Sequence, residues 1–273
     1  QIKMPDTVPP AVAKSFSALI PGTVCIFLAG CIYWLFSWAH WGNLHDVIMN
    51  ILAKPLGLLG NTLLGTLASI ILVSLFWFVG IHGGNVVNTA MSPIWLMQTD
   101  ANRVLNQSGK LDLAHGGNII TQPFIDNFVY MGGAGATLGL VLCVGYLVWK
   151  KRASKQNEIL APLTIVPGIF NINEPTMFGL PVVLNLSLII PFIIAPMFNA
   201  ITTYTAMKLG WVPLCNGTVI PWTMPPLISG FLATNSIAGS ILQLFNIIVD
   251  ILIYLPFMSA LNKRQIVEES RKG

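Results

Sequence analysis

Four stretches of the chain, 15–45, 55–99, 175–207 and 209–249, contain no Lys, Arg, Asp or Glu. Each is longer than the ~20 residues that a helix needs to cross a bilayer. The pattern predicts a first span at 15–38, leaving through "YWLFSWAHW", an aromatic cluster of the kind that sits at a membrane interface. "NLHDVIMNILAKPLGLLG" (43–60) instead mixes Asp46 and Lys54 with apolar residues at helical spacing, which suits a helix lying along the membrane surface. A second span is predicted at 60–80. From His82 to Met131 no clean apolar run occurs, which predicts broken, partly re-entrant structure. A third span (132–149) opens with "MGGAGATLG", small residues at helix-packing spacing. After a short apolar piece (159–170) come "FNINEPTMFGLP" (170–181), a long run (181–207) interrupted by Pro191 and Pro196, and the proline-rich "VPLCNGTVIPWTMPPLISG" (212–230). A last span is expected at 237–261, before a basic tail.

Composition agrees with this pattern. Hydrophobic residues make up 54% and charged residues 9%, against roughly 25% charged in a soluble domain. The net charge of +4 comes mainly from "KKRASK" (150–155) and "NKRQIVEESRKG" (262–273), so nucleic-acid binding is unsupported. Basic loops mark the cytoplasmic side, which places both clusters inside the cell. An even number of crossings must then lie between them, and 181–207 and 237–261 supply two. It follows that 159–180 and 211–235 should dip into the membrane and return. Irregular backbone is tolerated at that depth only against protein or a water-filled cavity. The expected fold is therefore an all-α integral membrane protein, a multi-span helical bundle with re-entrant hairpins and broken helices around a central polar cavity. The opening "QIKMPDTVPPAVAK" is polar and begins with Gln, so the chain reads as part of a longer one.

Glu174 is the sharpest chemical signal. A carboxylate near mid-membrane costs at least ~2.5–3.5 kcal/mol, and such residues usually face a pathway or a ligand. Asn171 and Asn173 beside it both donate and accept hydrogen bonds, so the trio suits the hydroxyl groups of a sugar. His82 in "FVGIHGGNVVN" stands next to Gly83 and Gly84, which allow close backbone approach to a ligand, and Asn85 follows. Histidine donates, accepts and titrates near neutrality. The tetrapeptide HGGN recurs at His115, in a more polar stretch that suits a surface loop. Trp222 in "IPWTMPP" is either an interfacial Trp or a stacking platform for a sugar ring. Asp126 could line the cavity or cap a helix, and Asp250 in "IIVDILIY" could pair within the bundle. Cys25, Cys31, Cys143 and Cys215 stand singly, without metal-ligand spacing, and read as buried small hydrophobes. The residues point to no metal or cofactor, and no Walker loop, dinucleotide fingerprint or Ser-His-Asp arrangement is present.

"MPDTVPPAVAKSFSALIPG", "FVGIHGGNVV", "PFIDNFVYMGGAGATLGL", "PGIFNINEPTMFGLPVVLN" and "NGTVIPWTMPPLISGFLAT" together resemble the membrane component IIC of the bacterial phosphotransferase system, in the lactose/cellobiose/diacetylchitobiose family. The resemblance covers essentially the whole chain and implies the C-terminal three-fifths of a IIC protein. Residues 1–60 would end the N-terminal part and hold the first span and surface helix, and 61–273 would form the transport domain. Multi-pass insertion in the bacterial inner membrane and a homodimer through the missing N-terminal part are also implied. So is uptake of a disaccharide (cellobiose, diacetylchitobiose or a related β-glucoside), coupled to phosphorylation of its 6-hydroxyl by a phosphocysteine on a separate IIB protein. Glu174 matches the family's essential glutamate in N-E-P and is a candidate general base; His82 matches the histidine of G-I-H-G. Asn171, Asn173, Gly83, Asn85 and Trp222 complete the implied substrate-contact set. The competing reading is an ion-coupled secondary transporter in which Glu174 takes up a proton.

Overall fold

The computed structural model describes residues 10–38, 60–180 and 182–272. It is helical, with no strand among the described residues. Two compact units divide between Lys54 and Pro55. In the first, Pro10–Trp38 forms one helix, α1, which contains the expected span. The surface helix expected at 43–60 lies outside the described residues except for its last position.

The second unit begins with α2 (Leu63–Phe78), capped by the Thr62 hydroxyl, which accepts from the Gly65 N–H at 3.1 Å. Next comes α3 (Gly83–Gln107), 25 residues long, which corrects the expectation of broken structure over 83–107; residues 108–121 are irregular, as expected. Val87, Ala90, Met91, Trp95, Gln98 and Asn102 follow the i, i+3, i+4 spacing of one helix face and are all buried, so α3 is amphipathic rather than interrupted. Hydropathy alone hid it. A π-helix (Phe124–Val129) follows. The small-residue stretch read as the start of a span is a turn: Gly132, Gly133, Gly135 and Ala136 all have positive φ, and the helix α4 begins only at Leu138 and ends at Trp149.

After the basic loop come α5 (Lys155–Ile169), the short α6 (Glu174–Gly179) and α7 (Leu186–Lys208). Residues 211–227 are mostly irregular, as their prolines predict, and lead into α8 (Ile228–Thr234). The last helix, α9, runs Ile237–Lys272, so the basic tail continues the helix instead of following it. At ~1.5 Å rise per residue its 36 residues extend roughly 54 Å, well past a ~30 Å hydrocarbon core. Among the described residues, α7 and α9 are the helices long and apolar enough to cross a membrane; α2 and α4 are shorter apolar helices. Cys143 and Cys215 are buried as expected, whereas Cys25 and Cys31 are exposed on α1, which is apolar all round.

Met131, Leu138, Val141 and Ile247 form an apolar cluster where α9 packs on α4. Beside it α9 carries a polar stripe of Gln243, Asn246, Asp250 and Tyr254, all fully buried. The spacing of three, four and four residues puts them on one face. Gln243 Nε2 donates to the Asn127 carbonyl at 2.7 Å, and Tyr254 Oη to the Gly135 carbonyl at 2.6 Å. Asn199 of α7 donates to Asp250 Oδ2 at 2.9 Å, and Asn246 exchanges bonds with Thr202 and Thr203. The stripe thus satisfies carbonyls that the π-helix and the glycine turn leave outside a regular α-helix, which an apolar face could not do. Asp250 pairs inside the bundle and is no part of the cavity described next.

Candidate functional site

His82 and Glu174 reach the same place by the same local device. α2 ends in a Schellman turn: Gly80 is left-handed (φ +84), its N–H donates to the Trp77 carbonyl at 3.0 Å, and the Ile81 N–H donates to the Phe76 carbonyl at 2.9 Å. His82 then caps α3, its Nδ1 accepting the Asn85 backbone N–H at 3.2 Å. α5 ends likewise, with Asn171 (φ +62) in the position that Gly80 fills. The Asn171 N–H donates to Gly168 at 3.1 Å and the Ile172 N–H to Pro167 at 3.0 Å. Asn is the residue after glycine that best tolerates this conformation. Asn173 precedes α6, which begins at Glu174.

The two turns meet at a cavity of about 580 Å³, inside the ~300–1,000 Å³ range of small-molecule sites. His82, Asn85, Asn171, Asn173, Glu174 and Trp222 all line it. Gly83 does not; a Cβ there would fall on the Val73 carbonyl of α2, so this glycine lets two helices touch, and its neighbour Gly84 faces the cavity instead. Asn171 is committed to backbone: Oδ1 accepts from Gly132 at 2.7 Å, and Nδ2 donates to the carbonyls of Trp222 (2.6 Å) and Met224 (3.1 Å). It joins the glycine turn to the irregular 211–227 segment and so holds Trp222 in place. Asn173 Nδ2 donates to Ala134 at 3.0 Å, and the approach needs Gly133 (φ +97), where a Cβ would come within 2.7 Å of Asn173 Cγ.

The His82 imidazole has a defined tautomer. Because Nδ1 accepts a backbone N–H, the proton of the neutral ring is on Nε2. Nε2 lies 3.9 Å from Glu174 Oε1, too far for a direct hydrogen bond, and both side chains are about half exposed to the cavity. A hydroxyl oxygen between them could accept from Nε2 and donate to the carboxylate, at ~2.8 Å from each. The indole of Trp77 packs on the His82 ring with centroids 4.5 Å apart. Trp77 also lines the cavity, and its Nε1, buried, has no hydrogen-bond partner. Sequence reasoning passed over it because it sits in an apolar run; its place five residues before His82 was the available signal. Gln122, Asp126 and Tyr130 on and beside the π-helix form a further wall.

His115, by contrast, lies in an exposed loop, its Nδ1 2.7 Å from Asp112 Oδ1. That hydrogen bond from His115 holds the Asp112 carboxyl below the usual carboxylate range.

Comparison with known proteins adds a family. The family model "Phosphotransferase system, EIIC" matches residues 1–196. The lichenan permease IIC component of Bacillus subtilis (strain 168) is 42% identical over 269 residues, covering 98% of this chain and 58% of that protein. The cellobiose-specific EIIC component of Geobacillus stearothermophilus is 43% identical over 270 residues, covering 98% and 58%. The oligo-beta-mannoside-specific EIIC component of Bacillus subtilis (strain 168) is 40% identical over 273 residues, covering 100% and 60%. The crystal structure of ChbC, the IIC component from the N,N'-diacetylchitobiose-specific phosphotransferase system, is 45% identical with a TM-score of 0.73, over 98% of this chain and 61% of that one. The chain thus spans about three-fifths of the length of these relatives.

Proposed function

The chain belongs to the EIIC family of the phosphotransferase system, and from that premise we propose that it is the sugar-binding and transport part of a permease for a β-linked disaccharide, coupled to phosphorylation by a separate IIB protein. The observation that carries this reading is the 3.9 Å gap between His82 Nε2 and Glu174 Oε1 at the cavity wall. The gap suits one hydroxyl. Glu174 accepts its proton as general base while His82 fixes the oxygen's position. The sugar oxygen then forms a bond to phosphorus, the phosphorus–sulfur bond of the incoming phosphocysteine breaks, and the thiolate leaves on IIB. Trp222, half exposed at the cavity, offers an aromatic face to a sugar ring. Trp77 Nε1 and the free Nε2–H of His82 supply donors; Glu174 supplies acceptors. The cellobiose and diacetylchitobiose specificities printed for relatives support a disaccharide of that class, and their being phosphotransferase components favours phosphorylation over ion coupling. Membrane vesicles carrying the full-length protein should accumulate phosphorylated cellobiose only with phospho-IIB present, and Glu174→Gln should cut transfer by ~10²–10⁴-fold. Uptake driven by a proton gradient alone would overturn the proposal.

A further inference from the structure

The cavity wall formed by α3 and the π-helix has a chemistry of its own. Gln122 Nε2 donates to both carboxylate oxygens of Asp126, at 2.9 and 3.0 Å. That pairing orients the amide, and it leaves Gln122 Oε1 buried without a partner. Asn88 Oδ1, on α3, is likewise buried and unpartnered, and all three residues line the cavity. The Gln122 backbone N–H donates to Thr99 Oγ1 of α3 at 3.0 Å, which ties the two sides of this wall together. Asp126 occupies a π-turn, closed by the Tyr130 N–H donating to the Ile125 carbonyl at 3.1 Å; such turns recur at functional sites. No Lys or Arg is among the described residues that line the cavity.

We infer that Asn88, Gln122 and Asp126 form an acceptor wall that sets the cavity's specificity, taking ligands that are uncharged and rich in hydroxyl donors. The inference rests on the sugar-binding reading above and extends it to residues outside the His82–Glu174 pair. Buried acceptors left without partners are costly, and hydroxyl groups of a bound sugar donate to them. A carboxylate, in turn, cannot pair with an anion. With Asp126 and Glu174 both facing the cavity and no Lys or Arg among the described residues that line it, a phosphorylated sugar is disfavoured where its neutral parent is held. The wall therefore discriminates substrate from product and favours release after transfer.

The test is a titration of cellobiose and of cellobiose 6-phosphate into the full-length protein, wild type, Asp126→Asn and Asn88→Ala, with melting temperature followed for each. Wild type should bind the neutral sugar at least tenfold more tightly than the phosphate. Asp126→Asn should weaken cellobiose binding about ten- to hundredfold and narrow the preference over the phosphate. Asn88→Ala should weaken cellobiose binding about threefold to tenfold, and it decides the matter if the Asp126 variant does not fold. Wild-type binding of cellobiose with both variants unchanged overturns the acceptor wall and leaves the sugar-binding reading standing. Failure of the wild type to bind any neutral disaccharide overturns both.

Discussion

The same four residues, His-Gly-Gly-Asn, occur at 82–85 and 115–118, and the fold uses them in opposite ways. At 82–85 the histidine caps a 25-residue helix through Nδ1, which leaves a protonated Nε2 facing the cavity. At 115–118 the histidine's Nδ1 donates to Asp112 instead, so its tautomer is reversed and the ring is spent on a loop. The glycines differ as well: Gly83 is needed because α2 presses on α3, while Gly117 is hemmed in by the Asp112 carbonyl and the Leu214 side chain. Asn85 faces the cavity, whereas Asn118 offers its backbone to the fully buried Asn102, whose side chain accepts the Asn118 N–H at 2.7 Å and donates to its carbonyl at 2.8 Å. What separates the two is the element that precedes each: a Schellman turn closing an apolar helix aims one at a cavity, and a polar loop aims the other at water.

The sharpest break of this comparison is His82→Asn. Asn is among the best helix caps, so this change keeps the cap on α3 and removes the Nε2 donor that faces Glu174. Phosphoryl transfer should fall by ~10²-fold or more, with the melting temperature nearly unchanged. Transfer preserved in this variant would reduce His82 to a cap and make the two tetrapeptides equivalent.

A second change sharpens the cavity side. Trp222→Ala should weaken sugar binding by ~1–3 kcal/mol if a ring stacks there as bases stack on aromatic side chains. Because the Trp222 contact to Asn171 runs through its carbonyl, the backbone link survives the substitution. Calorimetry on the full-length protein measures it, and an unaltered affinity removes Trp222 from the sugar's contacts.

These two sites also show what could be read from the chain and what could not. Glu174 stood out because a lone acid in an apolar stretch needs a reason, and the chain's polarity pattern located the apolar helices α1, α2, α7 and α9, of which α7 and α9 are long enough to cross a membrane. The length of α3 escaped because its buried face includes Gln98 and Asn102, which count as polar in any hydropathy average although both lie inside the fold, where the Asn102 amide bonds to the backbone of Asn118 and Cys215. "MGGAGATLG" escaped for the reverse reason: small residues serve helix packing and left-handed turns alike, and only φ distinguishes them. Asn171 looked like a sugar contact, yet its amide is consumed by three backbone groups from segments far away in sequence. Long-range hydrogen bonds of this kind leave no local pattern.

The smallest expected effect lies at the second tetrapeptide. Asp112→Asn replaces the carboxylate that accepts from His115 with a neutral amide and should leave transfer and sugar affinity unchanged, since nothing at 112–118 lines the cavity. Its signature is a pH dependence of stability. The folded carboxyl of Asp112 is held below its ordinary value of 3.8 by the His115 hydrogen bond. A group whose folded pKa is depressed contributes stability above its unfolded pKa, and that contribution is lost as pH falls through the folded value. The wild type should therefore lose a small increment of thermal stability on acidification below pH 3.8 that the Asn variant, already without it, does not lose. The exposure of both side chains to water keeps the increment small. Melting curves of both proteins at pH 7 and across the acid range measure the difference, and a transport defect in Asp112→Asn at neutral pH would mean that the loop at His115 reaches the site after all.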